Sequence, residues 1–198
     1  AGLPAVVSRA WLGRCLAEVG AFPEASTHGE EALRLAEAVE HPSNFSVAYL
    51  GVGFLSLRQR NLARAIPVLE RWLELCRVYH TRLWFPETAA ALGYAYAWAG
   101  RVAEALPLLE QAEQQGAALG TRGGQALWVS YVSEAYLLAG HREEARHGAG
   151  RALALARAHQ ERGHEAWALR LLGEIAAQQT PPEIAPATCS CQRWKASL

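Results

Sequence analysis

Seven histidines, four cysteines and nineteen acidic side chains are the groups in this 198-residue chain that could bind a metal, attack a substrate or move a proton. Their spacing supports none of these uses. His141 and His147 stand six apart in HREEARH, which does not bring two ligands to one side of a helix. His164-Glu165 has alanine where a second histidine would complete the zinc-peptidase pattern. The other histidines, His28, His41, His80 and His159, fall mostly in linkers or polar stretches. Cys189 and Cys191 form a C-x-C with no second ligand pair at metal spacing. Cys15 and Cys76 sit in apolar, helix-like stretches, where buried reduced thiols are expected. Gly51 and Gly53 form G-V-G, but no strand precedes them and a third glycine is missing; there is also no Gly-Lys-Ser/Thr loop and no Gly-x-Ser-x-Gly elbow. Glutamates such as Glu143 and Glu144 read as solvated helix surface. The expectation is a chain with no catalytic residues, no metal and no cofactor.

Composition narrows the class further. Apolar residues make up 51% and charged residues 19%, a globular balance. Basic and acidic residues number 19 each, so no nucleic-acid surface is expected. No apolar run approaches the roughly 20 residues that span a bilayer. The opening AGLPAVVSRAWLGRC lacks the basic start of a signal peptide, so the expected location is the cytoplasm. No methionine is present, which is expected of a segment cut from a longer protein.

A strict period supplies the scaffold. Ala25, Ala65, Ala105 and Ala145 are 40 residues apart, and Ala32, Trp72, Ala112 and Ala152 follow seven residues later. Gly20, Arg60, Gly100 and Gly140 stand five residues before the first set, and Gly13, Gly53, Gly93, Ser133 and Gly173 keep the same register. Each period reads as two helices. In the third, an Ala- and Leu-rich segment ends at Gly100, which supplies a left-handed turn. Val102 to Leu119 then puts Ala105, Leu108, Leu109 and Ala112 on one stripe. Small residues such as Gly93 and Ala105 let the two arms approach closely. Pro67 and Pro107 fall inside second helices and are expected to bend them. Trp72 marks a local repacking in the second repeat.

These columns resemble the tetratricopeptide repeat. The likeness rests on Leu12-Gly13, Gly20, Glu24-Ala25 and Ala32-Leu33 in the first repeat, and on Leu92-Gly93, Tyr96, Gly100, Glu104-Ala105 and Ala112 in the third. Tyr136, Gly140, Glu144-Ala145 and Ala152-Leu153 carry it in the fourth. The second departs, with Ser56 at the aromatic position and Arg60 at the turn. A closer likeness, in SEAYLLAG (133–140) and HQERGHEAWALRLLGEIAA (159–177), is to the C-terminal repeat regions of large bacterial nucleotide-cyclase or regulatory-ATPase signalling proteins. The resemblance implies an all-α, right-handed superhelical solenoid of antiparallel hairpins, four hairpins plus one extra helix. Repeats are expected over about 5–41, 45–81, 86–121 and 125–162, with a half-repeat over 165–178 and an irregular tail over 179–198.

Function then rests on surface. In this family the first helices line the concave wall. Carried over position by position, that wall comprises Arg14, Glu18, Leu50, Phe54, Arg58, Tyr94, Trp98, Ser130, Glu134, Leu138, Arg170 and Glu174. Its mixture of aromatics and both charges suits a protein or peptide partner and lacks the basic stripe of a phosphate-backbone binder. The competing expectation is that Phe54, Tyr94 and Trp98 pack between hairpins. A scaffolding module of a larger signalling protein is the leading expectation. A peptide- or small-ligand-sensing domain controlling an attached catalytic module is the alternative. Self-association is a further expectation, through exposed apolar residues of the last helix around Trp167, Leu171 and Ile175.

Overall fold

The computed structural model describes residues 3–39, 41–121 and 123–179, which form nine helices and no strand. Helix α1 (Pro4–Glu18) pairs with α2 (Phe22–Val39), and α3 (Pro42–Arg58) with α4 (Leu62–Val78). Helix α5 (Phe85–Trp98) pairs with α6 (Val102–Ala118), and α7 (Gln125–Leu138) with α8 (Arg142–Ala158), before α9 (Arg162–Gln179). Helices α4 and α6 run on through Pro67 and Pro107. The tail beyond residue 179, with Cys189 and Cys191, lies outside the described residues.

The helix ends repeat more finely than the 40-residue grid. Gly20, Arg60, His80, Gly100, Gly120, Gly140 and Gln160 all have positive φ, so left-handed turns occur at 20-residue spacing within hairpins and between them. Each closes the preceding helix with the same pair of bonds. At Gly100, for example, its N–H donates to Ala97 O (3.1 Å) and the Arg101 N–H donates to Tyr96 O (2.9 Å). This arrangement satisfies carbonyls that a helix end otherwise leaves open. Arg60 thus takes the turn conformation of the glycines it replaces, against a left-handed penalty of roughly 1–2 kcal/mol.

Two seams hold the stack together. Inside each hairpin the glycine column faces the alanine column. A Cβ on Gly13 would stand 3.2 Å from Ala25 O, and one on Gly93 would stand 2.6 Å from Leu109 Cγ and 3.2 Å from Ala105 O. Ser133, the one departure, turns its hydroxyl to account by donating to Ala145 O. Between hairpins, residues 36, 76 and 116 meet residues twelve further on, and their sizes compensate. Ala36 and Ala48 share one apolar cluster, Cys76 Sγ lies 3.6 Å from Thr88 Oγ1, and Gly116 leaves the space that the Trp128 ring fills.

The first helices pack on one another, α1 on α3, α3 on α5, α5 on α7 and α7 on α9, whereas the backbones of α2, α4, α6 and α8 come close only to first helices, and second helices reach one another through long side chains alone. The stack is therefore tight along its first-helix layer and splayed along its second. Glutamates brace the splayed side: Tyr96 Oη donates to Glu70 and Tyr136 Oη to Glu110, each at 2.7 Å, while Arg64 pairs with Glu30 at 3.3 Å. Glu30, Glu70 and Glu110 form another 40-residue column.

Candidate functional site

The first-helix layer carries its charges in pairs that reach across the stack. Arg14 of α1 meets Glu87 of α5 at 2.7 Å and lies 4.1 Å above the Phe54 ring of α3. Arg58 of α3 holds Glu18 of α1 at 2.8 Å, and its guanidinium stands 5.0 Å from the Trp167 ring of α9. Burial alone would lower the pKa of Arg58, but the Tyr131 phenol and the Glu18 carboxylate beside it raise it above the ordinary arginine value. One guanidinium thus touches elements from the first hairpin and from the last helix.

An aromatic cluster sits at the middle. Tyr94 and Tyr131 stack at 3.9 Å, and Trp167 meets both edge-on at 6.2 and 5.9 Å. Trp98 meets Tyr94 edge-on at 6.3 Å, with the Arg60 guanidinium 3.4 Å from its own ring. Glu134, only 3% exposed, accepts from Tyr94 Oη (3.3 Å), Trp167 Nε1 (3.4 Å) and Arg170 (3.2 Å). A buried carboxylate is tolerable because three donors replace its water. Arg170 also pairs with Glu174. Burial first, then the Glu134 carboxylate, pushes the Tyr94 pKa upward, and burial does the same at Tyr131.

These contacts correct several expectations. Leu50 (0% exposed), Phe54 (1%) and Ser130 (0%) are sealed in packing, and the Ser130 hydroxyl is spent on Ala126 O. Tyr94 and Glu134 are also buried. These five are buried and offer no free surface to a guest in this arrangement. Arg14, Glu18, Arg58, Trp98, Arg170 and Glu174 keep partial or full exposure, and all except Trp98 are ion-paired. Leu138, the last residue of α7, is exposed one turn beyond Glu134. Leu171 and Ile175 are buried with Ala145 and Ala149 of α8, so they are not the exposed residues expected to mediate self-association. Cys15, expected to be buried, is exposed on α1, while Cys76 is buried.

Open space remains beside the cluster. A cavity of about 350 Å³ is lined by Trp11 and Arg14 of α1, Trp84 and Glu87 at the start of α5, Trp128 of α7 and His164 of α9. Sequence reasoning passed over Trp11, Trp84, Glu87, Trp128 and His164 as wall residues, and named Trp167 only for self-association. A signal existed for two of these. Glu87 and Trp167 stand seven residues before Tyr94 and Glu174, two helical turns along the same stripe. Among the described residues no group of three His, Cys, Asp or Glu side chains is placed to hold a metal, and no helix is long and apolar enough to cross a membrane.

Solved structures share this architecture. A signal-transduction ATPase with numerous domains and a tetratricopeptide repeat sensor, from Pyrococcus horikoshii, aligns with a TM-score of 0.64 at 13% identity. The fold is the tetratricopeptide-like helical repeat. The alignment covers 87% of this chain and 27% of the Pyrococcus protein, so the array corresponds to about a quarter of that protein's length. The tetratricopeptide-like repeats of a putative kinesin light chain from Podosopora anserina align with a TM-score of 0.59 at 22% identity, over 87% of this chain and 93% of that one. No family model matches the sequence, and no curated protein matches it.

Proposed function

We propose that this repeat array is a non-enzymatic protein-interaction module that receives a peptide or protein segment on its first-helix wall. The observation that carries this reading is the cavity bounded by Trp11, Trp84 and Trp128, with the Arg14–Glu87 pair at its edge. Tryptophan and arginine are the side chains that anchor protein interfaces. The neighbouring wall is already cross-linked, so the receiving surface is formed before the partner arrives and little ordering is lost on binding. An apolar or aromatic anchor would enter among the tryptophans, while a polar flank meets Arg14, Glu87 and His164. The Pyrococcus protein, a signal-transduction ATPase with a tetratricopeptide repeat sensor, supports a regulatory place in a larger signalling protein.

The test is a panel of fluorescent peptides differing in one aromatic or aliphatic anchor, titrated against the chain and its Trp11→Ala variant. Trp11 is 42% exposed, so its removal should leave helicity unchanged. An anchored peptide should bind, and the variant should weaken it at least tenfold, or about 1.4 kcal/mol. Equal binding by both proteins, or no preference for an anchor, would refute the site.

The same wall favours a second reading, that of a sensor. Arg58 joins Glu18 to the face of Trp167, so a ligand that competes for this guanidinium would change how α1, α3 and α9 sit together. A thermal-shift screen separates the readings: a scaffold responds to peptides alone, a sensor to small molecules as well.

A further inference from the structure

The backbones of the second helices α4 and α6 do not come close, and α5 packs against both. At the C-terminal end of the gap between them lies a cavity of about 510 Å³. Its walls include Cys76 and Arg77 of α4, His80 and Arg82 of the turn that follows, Phe85 of α5, and Leu119 at the end of α6. No carboxylate lines it. Many arginines elsewhere, such as Arg14, Arg34, Arg58, Arg71 and Arg101, are tied to glutamates, whereas here three basic side chains line one cavity without a carboxylate. Among the described residues, the side chains of Arg77, His80 and Arg82 have no such partner.

A basic residue in the last turn of a helix is ordinarily explained by the negative end of the helix dipole. That accounts for Arg77. It does not account for Arg82, which lies beyond the helix in the connection to α5, nor for its turning toward the same cavity as Arg77 and His80. The left-handed conformation of His80 (φ 51°) reverses the chain there and brings the linker back over the gap. The rest of the lining is mostly apolar, from Cys76, Phe85, Ala118 and Leu119, with Gln115 the one further polar side chain. The volume lies within the range of small-molecule sites, which combine apolar walls with a few convergent polar groups.

We propose that this cavity binds a small organic anion, one carboxylate, sulfonate or phosphate on a flat apolar body. The anionic group would lie between Arg77 and Arg82, where a guanidinium matches a planar carboxylate by two parallel hydrogen bonds. The body would rest on Phe85 and Leu119. The site is separate from the tryptophan-lined cavity, so either assignment can fail without the other.

Isothermal titration of the full chain with 2-naphthoate, its neutral amide 2-naphthamide and inorganic phosphate tests the assignment. Saturable one-to-one binding of 2-naphthoate is expected, with the amide and phosphate each at least tenfold weaker. The Arg77→Ala/Arg82→Ala variant should lose at least tenfold in affinity for 2-naphthoate at unchanged helicity. The single variant Arg82→Ala, outside any helix, should lose at least threefold and serves if the double variant folds poorly. Arg142→Ala, which removes another exposed arginine elsewhere, should change nothing. Failure of 2-naphthoate to bind, binding indifferent to both arginine variants, or equal binding of the amide would overturn the proposal.

Discussion

The seam inside each hairpin and the wall formed by the first helices use opposite means to join elements. The seam works by missing atoms: Gly93 has no side chain, so the backbone and Leu109 of α6 come within contact of its α-carbon. The wall works by long side chains, with Arg14, Arg58 and Arg170 reaching from one first helix to another. A seam of this kind is local and repeats identically. A wall of this kind is specific to each level of the stack, because its geometry depends on how the preceding levels have curved.

The comparison predicts that damage to the seam costs more. Gly93→Val puts a branched side chain where even a Cβ stands 2.6 Å from Leu109 Cγ, and Ala105 O, being backbone, cannot swing aside. Overpacking of this sort costs about 1–3 kcal/mol. Valine's gain in helix propensity over glycine, roughly a few tenths of a kcal/mol, offsets little of it. Urea denaturation should show that loss, and an unchanged midpoint would mean that the hairpin is looser than its geometry.

In the wall the most costly single loss should be at Glu134. Glu134→Ala strands the Tyr94 hydroxyl, the Trp167 indole N–H and part of Arg170 without their shared acceptor. Leaving buried donors unsatisfied costs about 1–3 kcal/mol, and the exposed side of Arg170 recovers water, which favours the lower end. Glu134→Gln keeps an acceptor and should cost less than the alanine. If both substitutions prove neutral in urea melts, the cluster does not brace the stack.

A smaller effect should appear at alkaline pH. Burial and the Glu134 carboxylate raise the Tyr94 pKa above its ordinary value of 10.0, and burial raises that of Tyr131. The unfolded chain then loses these protons at lower pH than the folded one. The contribution is present in full below about pH 10 and is lost as pH rises toward the folded values. The melting temperature should fall above that pH, and Tyr94→Phe should fall less steeply. Parallel curves for the two proteins would contradict the assignment.

The same contrast sets how far the fold was legible. Within the four hairpins the 40-residue columns that begin at Gly13 and Ala25 fall at close contacts between the two arms, where small residues fit, so spacing alone located the hairpins. Arg60 departs from its column and yet takes the turn, because the flanking helices impose it. The wall was legible only as a stripe. Position 14 and its successors Phe54, Tyr94, Glu134 and Glu174 do lie on one face. Which of them is buried depends on curvature, and nothing in the period encodes that Arg58 reaches Trp167 more than a hundred residues away. Trp84 and Trp128 were missed because each stands at a column whose other positions are mostly small or polar, such as Asn44 and Gly124 or Thr88 and Ala168, and Trp11 because its column mixes Gly51 and Ala91 with Tyr131 and Leu171.

The smallest effect is also the sharpest, because it reverses sign within one column. Gly173 occupies the position of Gly93, but α9 has no second helix among the described residues and a Cβ there would meet nothing within 4 Å. Glycine inside a helix costs up to about 1 kcal/mol against alanine. Gly173→Ala should therefore stabilise the array by up to about that amount, whereas Gly93→Ala should destabilise it, since overpacking outweighs the same gain in helix propensity. If both alanines stabilise, close approach does not govern the column. If both destabilise, some element packs over Gly173 as α6 packs over Gly93.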